Sequence, residues 1–179
     1  MDDTVRFYLE SSLPCNTLDR MNKRALVERI VEALRAELAT AERVARETAD
    51  AANHPEARPE NDKDTRKIEL SYLAAGQATR ARDLEVAIHL VGSMPLPEFR
   101  DETPIGLGAI ASLETDGKPQ RVFLCAAGGG MTLDLDGAEV RVVTIEAPLG
   151  KGLLGRTVGE SFELLIAGKP REVEVRAVE

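Results

Sequence analysis

AANHPEARPENDKDTRKIELSYLAAGQATRAR, residues 51–82, sets a Pro-rich acidic turn between two segments of helical pattern. Before it, Val27, Val31, Leu34, Leu38, Ala41, Ala45, Thr48 and Ala52 follow alternating steps of four and three, the spacing of a coiled-coil seam. After it, Leu70, Ala74, Gln77, Ala81, Leu84, Ile88 and Val91 repeat those steps. The two seams predict an antiparallel helical hairpin over 21–92, with its acidic tip near 55–64. Both seams turn Ala-rich toward the turn, so the backbones approach closely and the distal end stays slender. Helix propensity and surface pairs contribute little to an isolated helix pair, so seam burial must supply most of its stability. Carboxylates at such a tip are held away from the body of the protein and can be carried into a cavity closed to a globular domain.

The pattern changes after Gly92. Pro95, Pro97 and Pro104 mark a linker over 93–104, because proline removes a backbone donor and opposes helix continuation. Beyond it, GLGAIASLE, QRVFLCAA, MTLDLD, AEVRVVTI, SFELLI and REVEVRAV are short β-branched runs divided by Gly, Asp or Pro. Residues 105–179 therefore read as a β-rich domain, and the chain as α+β. Between two of these runs, APLGKGLLGRTVG (147–159) predicts a single helical turn packed on the sheet and framed by Gly155 and Gly159. Residues 1–20 show no sustained periodicity and read as a poorly ordered extension.

Composition narrows the function. A net charge of −8 on 179 residues opposes non-specific binding to a nucleic-acid backbone, and a direct duplex-DNA reader is not expected. Cys15 and Cys125 are far apart and lack metal-ligand spacing, which fits a reducing cytoplasm better than a disulfide framework or zinc site. No apolar run is long enough to span a bilayer, and no signal peptide opens the chain.

Two motifs give the chain a resemblance. Pro59-Glu60-Asn61 at the turn resembles the Ser-Glu-Asn of the GreA/GreB transcript-cleavage and elongation factors of bacterial RNA polymerase, and residues 147–159 are similar to that family's SPLGRALLGKKVG segment. The resemblance runs from about Met21 to Glu179, with the C-terminal match the more specific. It implies an N-terminal coiled coil followed by an FKBP-like domain. That domain docks at the rim of the polymerase secondary channel, while the hairpin enters and assists cleavage of backtracked RNA. The polymerase does the hydrolysis, so the factor is not itself an enzyme. It has no cofactor of its own and shares the polymerase's Mg²⁺, a hard cation that takes oxygen ligands. By position Glu60 is the metal-directed carboxylate, with Glu56, Asp62 and Asp64 as further acids. Where the family has an aspartate three residues before the glutamate, this chain has Ala57. The alternative is a channel-occupying regulator or inhibitor that does not stimulate cleavage.

The resemblance further implies that Arg58, Lys63, Arg66 and Lys67 contact the nascent RNA 3′ segment through phosphate pairing, and that Pro148, Leu149, Gly150, Leu153, Leu154 and Gly155 form the polymerase-binding motif region. Structural roles stand beside these. Acids at the start of a helix offset its dipole by about 0.3–1 kcal/mol, and Asn61 or Asp62 can cap it. Arg43, Arg46, Arg80 and Arg82 read as a solvated flank. Gly150 to Gly155 matches GxGxxG without the βαβ unit a dinucleotide site needs, and Gly128-Gly129-Gly130 reads as a turn. His54 lies in the acidic turn, His89 on the helix surface or seam edge, and Cys125 reads as a small core residue. With no Trp and only two Tyr, an aromatic-lined prolyl-isomerase pocket is hard to build.

Overall fold

The computed structural model describes residues 22–53, 66–135 and 137–179. Helix α1 spans Lys23–Asn53 and α2 spans Arg66–Ser93. They pair antiparallel: Val27 near the start of α1 lines the same cleft as Gly92 near the end of α2, and Arg80 reaches Glu37 at mid-length. Every predicted seam position is buried or half-buried. Leu34, Ala41 and Ala52 are buried on α1, and Ala81, Leu84 and Val91 on α2. Thr48, the polar member of the α1 seam, donates its Oγ1 proton to the Val44 carbonyl at 2.7 Å, so its hydroxyl is satisfied.

Leu26 and Ile30 lie off the seam, yet both are fully buried. They face the sheet. With Leu34, Val91 and Met94 they form one apolar cluster with Ile110, Phe123, Cys125, Val140 and Val142. The base of the hairpin is therefore seated on the β structure. Polar contacts ring the seat: the Lys23 ammonium donates to the Pro97 carbonyl at 2.8 Å and lies 4.8 Å from the centre of the Phe99 ring, and Arg29 donates to the Asp134 carbonyl.

After residues 94–109, which contain no helix or strand, six strands follow. They are β1 Ile110–Thr115, β2 Lys118–Cys125, β3 Thr132–Leu135, β4 Ala138–Thr144, β5 Ser161–Ile166 and β6 Lys169–Val178. Helix α3, Pro148–Leu153, connects β4 to β5. The sheet order is β3-β4-β2-β1-β6-β5, with β2 and β4 parallel and the other neighbours antiparallel. Asp116-Gly117 and Ala167-Gly168 close the β1–β2 and β5–β6 hairpins with positive φ at both residues, the two-residue turn whose twist matches paired strands. Each of the six predicted runs overlaps one strand.

Alternation along the strands creates two faces. Phe123 and Cys125 point to the hairpin, whereas Val122 and Leu124 join Ile105, Leu113, Leu153, Val173 and Val175 on the far side. The sheet is thus covered on both faces, by the hairpin base on one and by α3 with Ile105 on the other. β1 starts at Ile110, later than its apolar run, because Gly108 turns the chain at φ +84° and passes so close to the Pro95 carbonyl that a Cβ would lie 2.6 Å from that oxygen.

Candidate functional site

Two regions carry the candidate residues, the segment between α1 and α2 and the one around α3. Glu56, Arg58, Glu60, Asp62, Lys63 and Asp64 lie outside the described residues, as do His54, Cys15 and the extension at 1–20. Arg66 and Lys67 open α2, and their side chains also fall outside them. What is described is the support for this tip. At 1.5 Å per residue the 31-residue α1 is about 46 Å long, and α2 stays paired with it. Far from the seat the pair is held by small residues, Ala41, Ala52 and Ala81, so the shaft is narrow.

Two of the four flank arginines are engaged with acids. Arg43 pairs with Glu47 one turn on at 3.0 Å, and Arg80 bridges the helices to Glu37 at 3.1 Å. All four side chains are well exposed, which fits the solvated-flank reading. His89 is exposed on α2.

The second region is built around α3. Ala147 in extended conformation precedes Pro148 at the first helical position, where a missing N–H costs nothing. The Lys151 amide donates to the Ala147 carbonyl at 2.9 Å and the Leu154 amide to Gly150 at 3.0 Å. Gly155 then turns at φ +80°, and its amide donates to the Ile105 carbonyl at 2.8 Å, while the Ile105 amide donates back to Arg156 at 2.7 Å. The Arg156 side chain closes the segment, donating to Gly152 O at 2.6 Å and lying 4.8 Å from the centre of the Phe162 ring.

This geometry divides the six residues assigned to polymerase binding. Gly150 and Leu153 are buried and belong to packing. Pro148, Leu154 and Gly155 are exposed and Leu149 is half-buried, so these four can meet a partner. Beside them an open groove of about 610 Å³ is lined by Pro148, Leu149, Leu164, Leu165 and Ile166 together with Gly129, Gly130 and Arg141. Leu165 is 73% exposed on the edge strand β5. The exposed apolar edge of β5 was not singled out in the sequence, where SFELLI reads as an ordinary strand. None of the described residues that line the groove is aromatic.

Gly128 and Gly130 have positive φ and form a turn between β2 and β3. Among the described residues no group of three or more His, Cys, Asp or Glu can hold a metal ion, and no helix is long and apolar enough to cross a membrane. Cys125 is fully buried, its Sγ 3.7 Å from Met94 Sδ, and burial pushes its thiol pKa up against weaker opposing hydrogen bonds from Ala126 and Ala127. The thiolate is the reactive form. Iodoacetamide at neutral pH is accordingly expected to leave Cys125 unmodified in the native protein and to label it once denaturant is added, as read by peptide mass mapping.

No protein-family profile and no curated protein matches the chain. Among solved structures it is similar to GreA factor homolog 1 (Gfh1) of Thermus thermophilus, with 20% identity and a TM-score of 0.36 over 89% of this chain and 96% of that one. Gfh1 of Thermus aquaticus matches with 21% identity and a TM-score of 0.37 over 88% and 94%. The prokaryotic transcription elongation factor GreA/GreB from Nitrosomonas europaea matches with 16% identity and a TM-score of 0.34 over 53% and 78%. At these values the functional reading rests on the chain's own residues.

Proposed function

We propose that this protein is a Gre-type transcription factor, acting in the cytoplasm, that docks on bacterial RNA polymerase through the α3 region and places the tip of its hairpin in the secondary channel. The observation that carries the reading is the slender, about 46 Å hairpin seated on a β sheet, with Pro59-Glu60-Asn61 at its turn and the 147–159 segment on the sheet's opposite side. Such a shaft delivers a charge to a buried centre. The exposed Pro148, Leu149 and Leu154 are the docking contacts in this reading, while Gly150 and Leu153 hold them in place.

Glu60 supplies the function of the tip, stimulating the polymerase's own cleavage of backtracked RNA. Its carboxylate is a hard oxygen ligand suited to the Mg²⁺ held at the polymerase active centre. Glu56, Asp62 and Asp64 add negative charge nearby, and Arg58, Lys63, Arg66 and Lys67 meet the phosphates of the RNA 3′ segment. The partners are thus polymerase and the RNA within it, with no sequence-specific DNA recognition and no membrane.

A second reading has its own observation. Ala57 stands where the resembled motif carries an aspartate, and a tip with one carboxylate fewer can occupy the channel without promoting hydrolysis. A defined backtracked elongation complex distinguishes the two. Shortening of the RNA by the wild type, lost by about 10²-fold or more in Glu60→Ala with binding retained, is the expected result, in the range for removal of one catalytic group. Tight binding without shortening by either protein leaves the channel-occupying regulator, and absence of binding removes both.

A further inference from the structure

The groove beside α3 has two walls, Pro148 and Leu149 from the helix and Leu164, Leu165 and Ile166 from β5. Among the described residues no backbone hydrogen bond runs from α3 to β5, and residues 154–160 between them contain neither helix nor strand. Side chains therefore set how the two walls sit against each other.

Three residues make that contact. Gly152 leaves a notch on α3 that the Phe162 ring of β5 fills, since a Cβ at position 152 would lie 2.8 Å from the ring's Cδ2 and 3.0 Å from its Cζ. Arg156 closes over the same ring, its guanidinium carbon 4.8 Å from the ring centre. Its Nε donates to the Gly152 carbonyl at 2.6 Å and its Nη1 to the Ser161 carbonyl at 3.4 Å, the longer and weaker of the two bonds. Gly152 belongs to the helix and Ser161 to the strand, so one guanidinium reaches both walls. A planar fork can stack and donate in two directions at once; a lysine ammonium, a compact point charge, does not reproduce this. The resembled segment SPLGRALLGKKVG has Ala where this chain has Gly152 and Lys where it has Arg156. The methyl that would collide with the ring is missing in the same chain that carries the fork to cover it.

We propose that Arg156 is a positioning residue for docking: through Phe162 and Gly152 it holds α3 and β5 at the separation at which Leu149 and Leu165 meet the polymerase together. The inference rests on the docking reading above and adds the β5 wall to it. Arg156 is half-buried and donates to its own chain, so it acts through the walls it joins.

Binding of the full chain to an RNA polymerase elongation complex, at a temperature where circular dichroism shows every variant folded, tests it. Arg156→Lys and Phe162→Leu are each expected to weaken binding by about tenfold, the scale of one lost charge-assisted hydrogen bond. The double variant is expected to bind no worse than the poorer single, because both changes break the same contact. A merely structural Arg156 would lower the Tm and leave binding by the folded protein unchanged. Methyl NMR of the free protein reads the walls without polymerase: the Leu149 and Leu165 signals move in Arg156→Lys, while that of Leu38 on the hairpin stays in place. With a wild type that binds, the proposal is overturned by unchanged binding of Arg156→Lys, by penalties that multiply in the double variant, or by Leu149 and Leu165 signals that do not move. A wild type that binds no polymerase overturns the docking reading itself, and this inference with it.

Discussion

Gly150→Ala is expected to lower the stability of the protein by about 2–3 kcal/mol, the usual cost of forcing a methyl into a filled site. For a chain of this size that corresponds to a fall in Tm of roughly 5–10 °C. A Cβ at position 150 lies 2.9 Å from the Thr144 carbonyl carbon, nearer still to its oxygen, and 3.1 Å from the Ile145 Cα. All three are backbone atoms at the end of β4, so no rotamer change relieves the clash. Either α3 lifts off the sheet or the strand end shifts. Gly152→Ala is a milder case: its Cβ meets the Phe162 ring, nearest at Cε2 and with Cδ2 at 2.8 Å, but that obstacle is a half-buried side chain and not backbone. Gly155→Ala meets no atom within 4 Å and carries only the strain of φ +80°. Urea denaturation of the three variants should therefore rank them 150, 152, 155 in order of loss. A Gly150→Ala protein with wild-type Tm would mean that α3 is not packed as described. The ranking also separates two readings of the GxGxxG match, since a phosphate-binding loop keeps its glycines for a ligand, whereas Gly150 and Gly152 admit neighbouring protein atoms.

The hairpin was legible because a single physical rule, burial of every third or fourth side chain, operates along both helices for many turns. It sufficed to place Val27 through Ala52 and Leu70 through Val91 on facing seams. The same rule assigns one stripe per helix and so passes over Leu26 and Ile30, which are buried by a second neighbour, the sheet. It likewise does not flag Ile68, Tyr72 and Val86, which stay exposed on the outer side of α2. The strands were legible from β-branched runs and turn residues such as Asp116-Gly117. Their order was not, since placing β6 between β1 and β5 depends on pairing across most of the β region. Within the 147–159 segment, letters alone do not separate the buried Leu153 from the exposed Leu154. The separation follows from the helical turn that begins at Pro148. The tip is the reverse case: its reading comes wholly from Pro59-Glu60-Asn61 and the acids around it.

Ile30→Ala is expected to cost about 2–4 kcal/mol, within the range for truncating a buried isoleucine, and to act on both parts of the molecule at once. Ile30 is wholly inaccessible to solvent and sits where α1 meets the sheet, its Cγ2 only 3.1 Å from the place a Cβ would occupy on Gly128. Gly128 itself needs its positive φ of 74°, so the turn cannot move in to fill the hole. The cavity would open between Leu26 and Leu34 on the helix side and Phe123, Val140 and Val142 on the sheet side, all members of the same cluster. Val31→Ala offers the comparison: Val31 is half-buried on the seam, and its truncation is expected to cost about 1 kcal/mol. Hydrogen exchange distinguishes the consequences. If the hairpin is seated as described, Ile30→Ala speeds exchange in β2 and β4 as well as in the first turns of α1, whereas Val31→Ala affects the helices alone. Exchange confined to the helices in both variants would show that the two parts are joined only through residues 94–109. A firm seat matters for a lever of this length, because a small rotation at Ile30 becomes a displacement of several ångströms at the far end of α1, where the acidic turn begins.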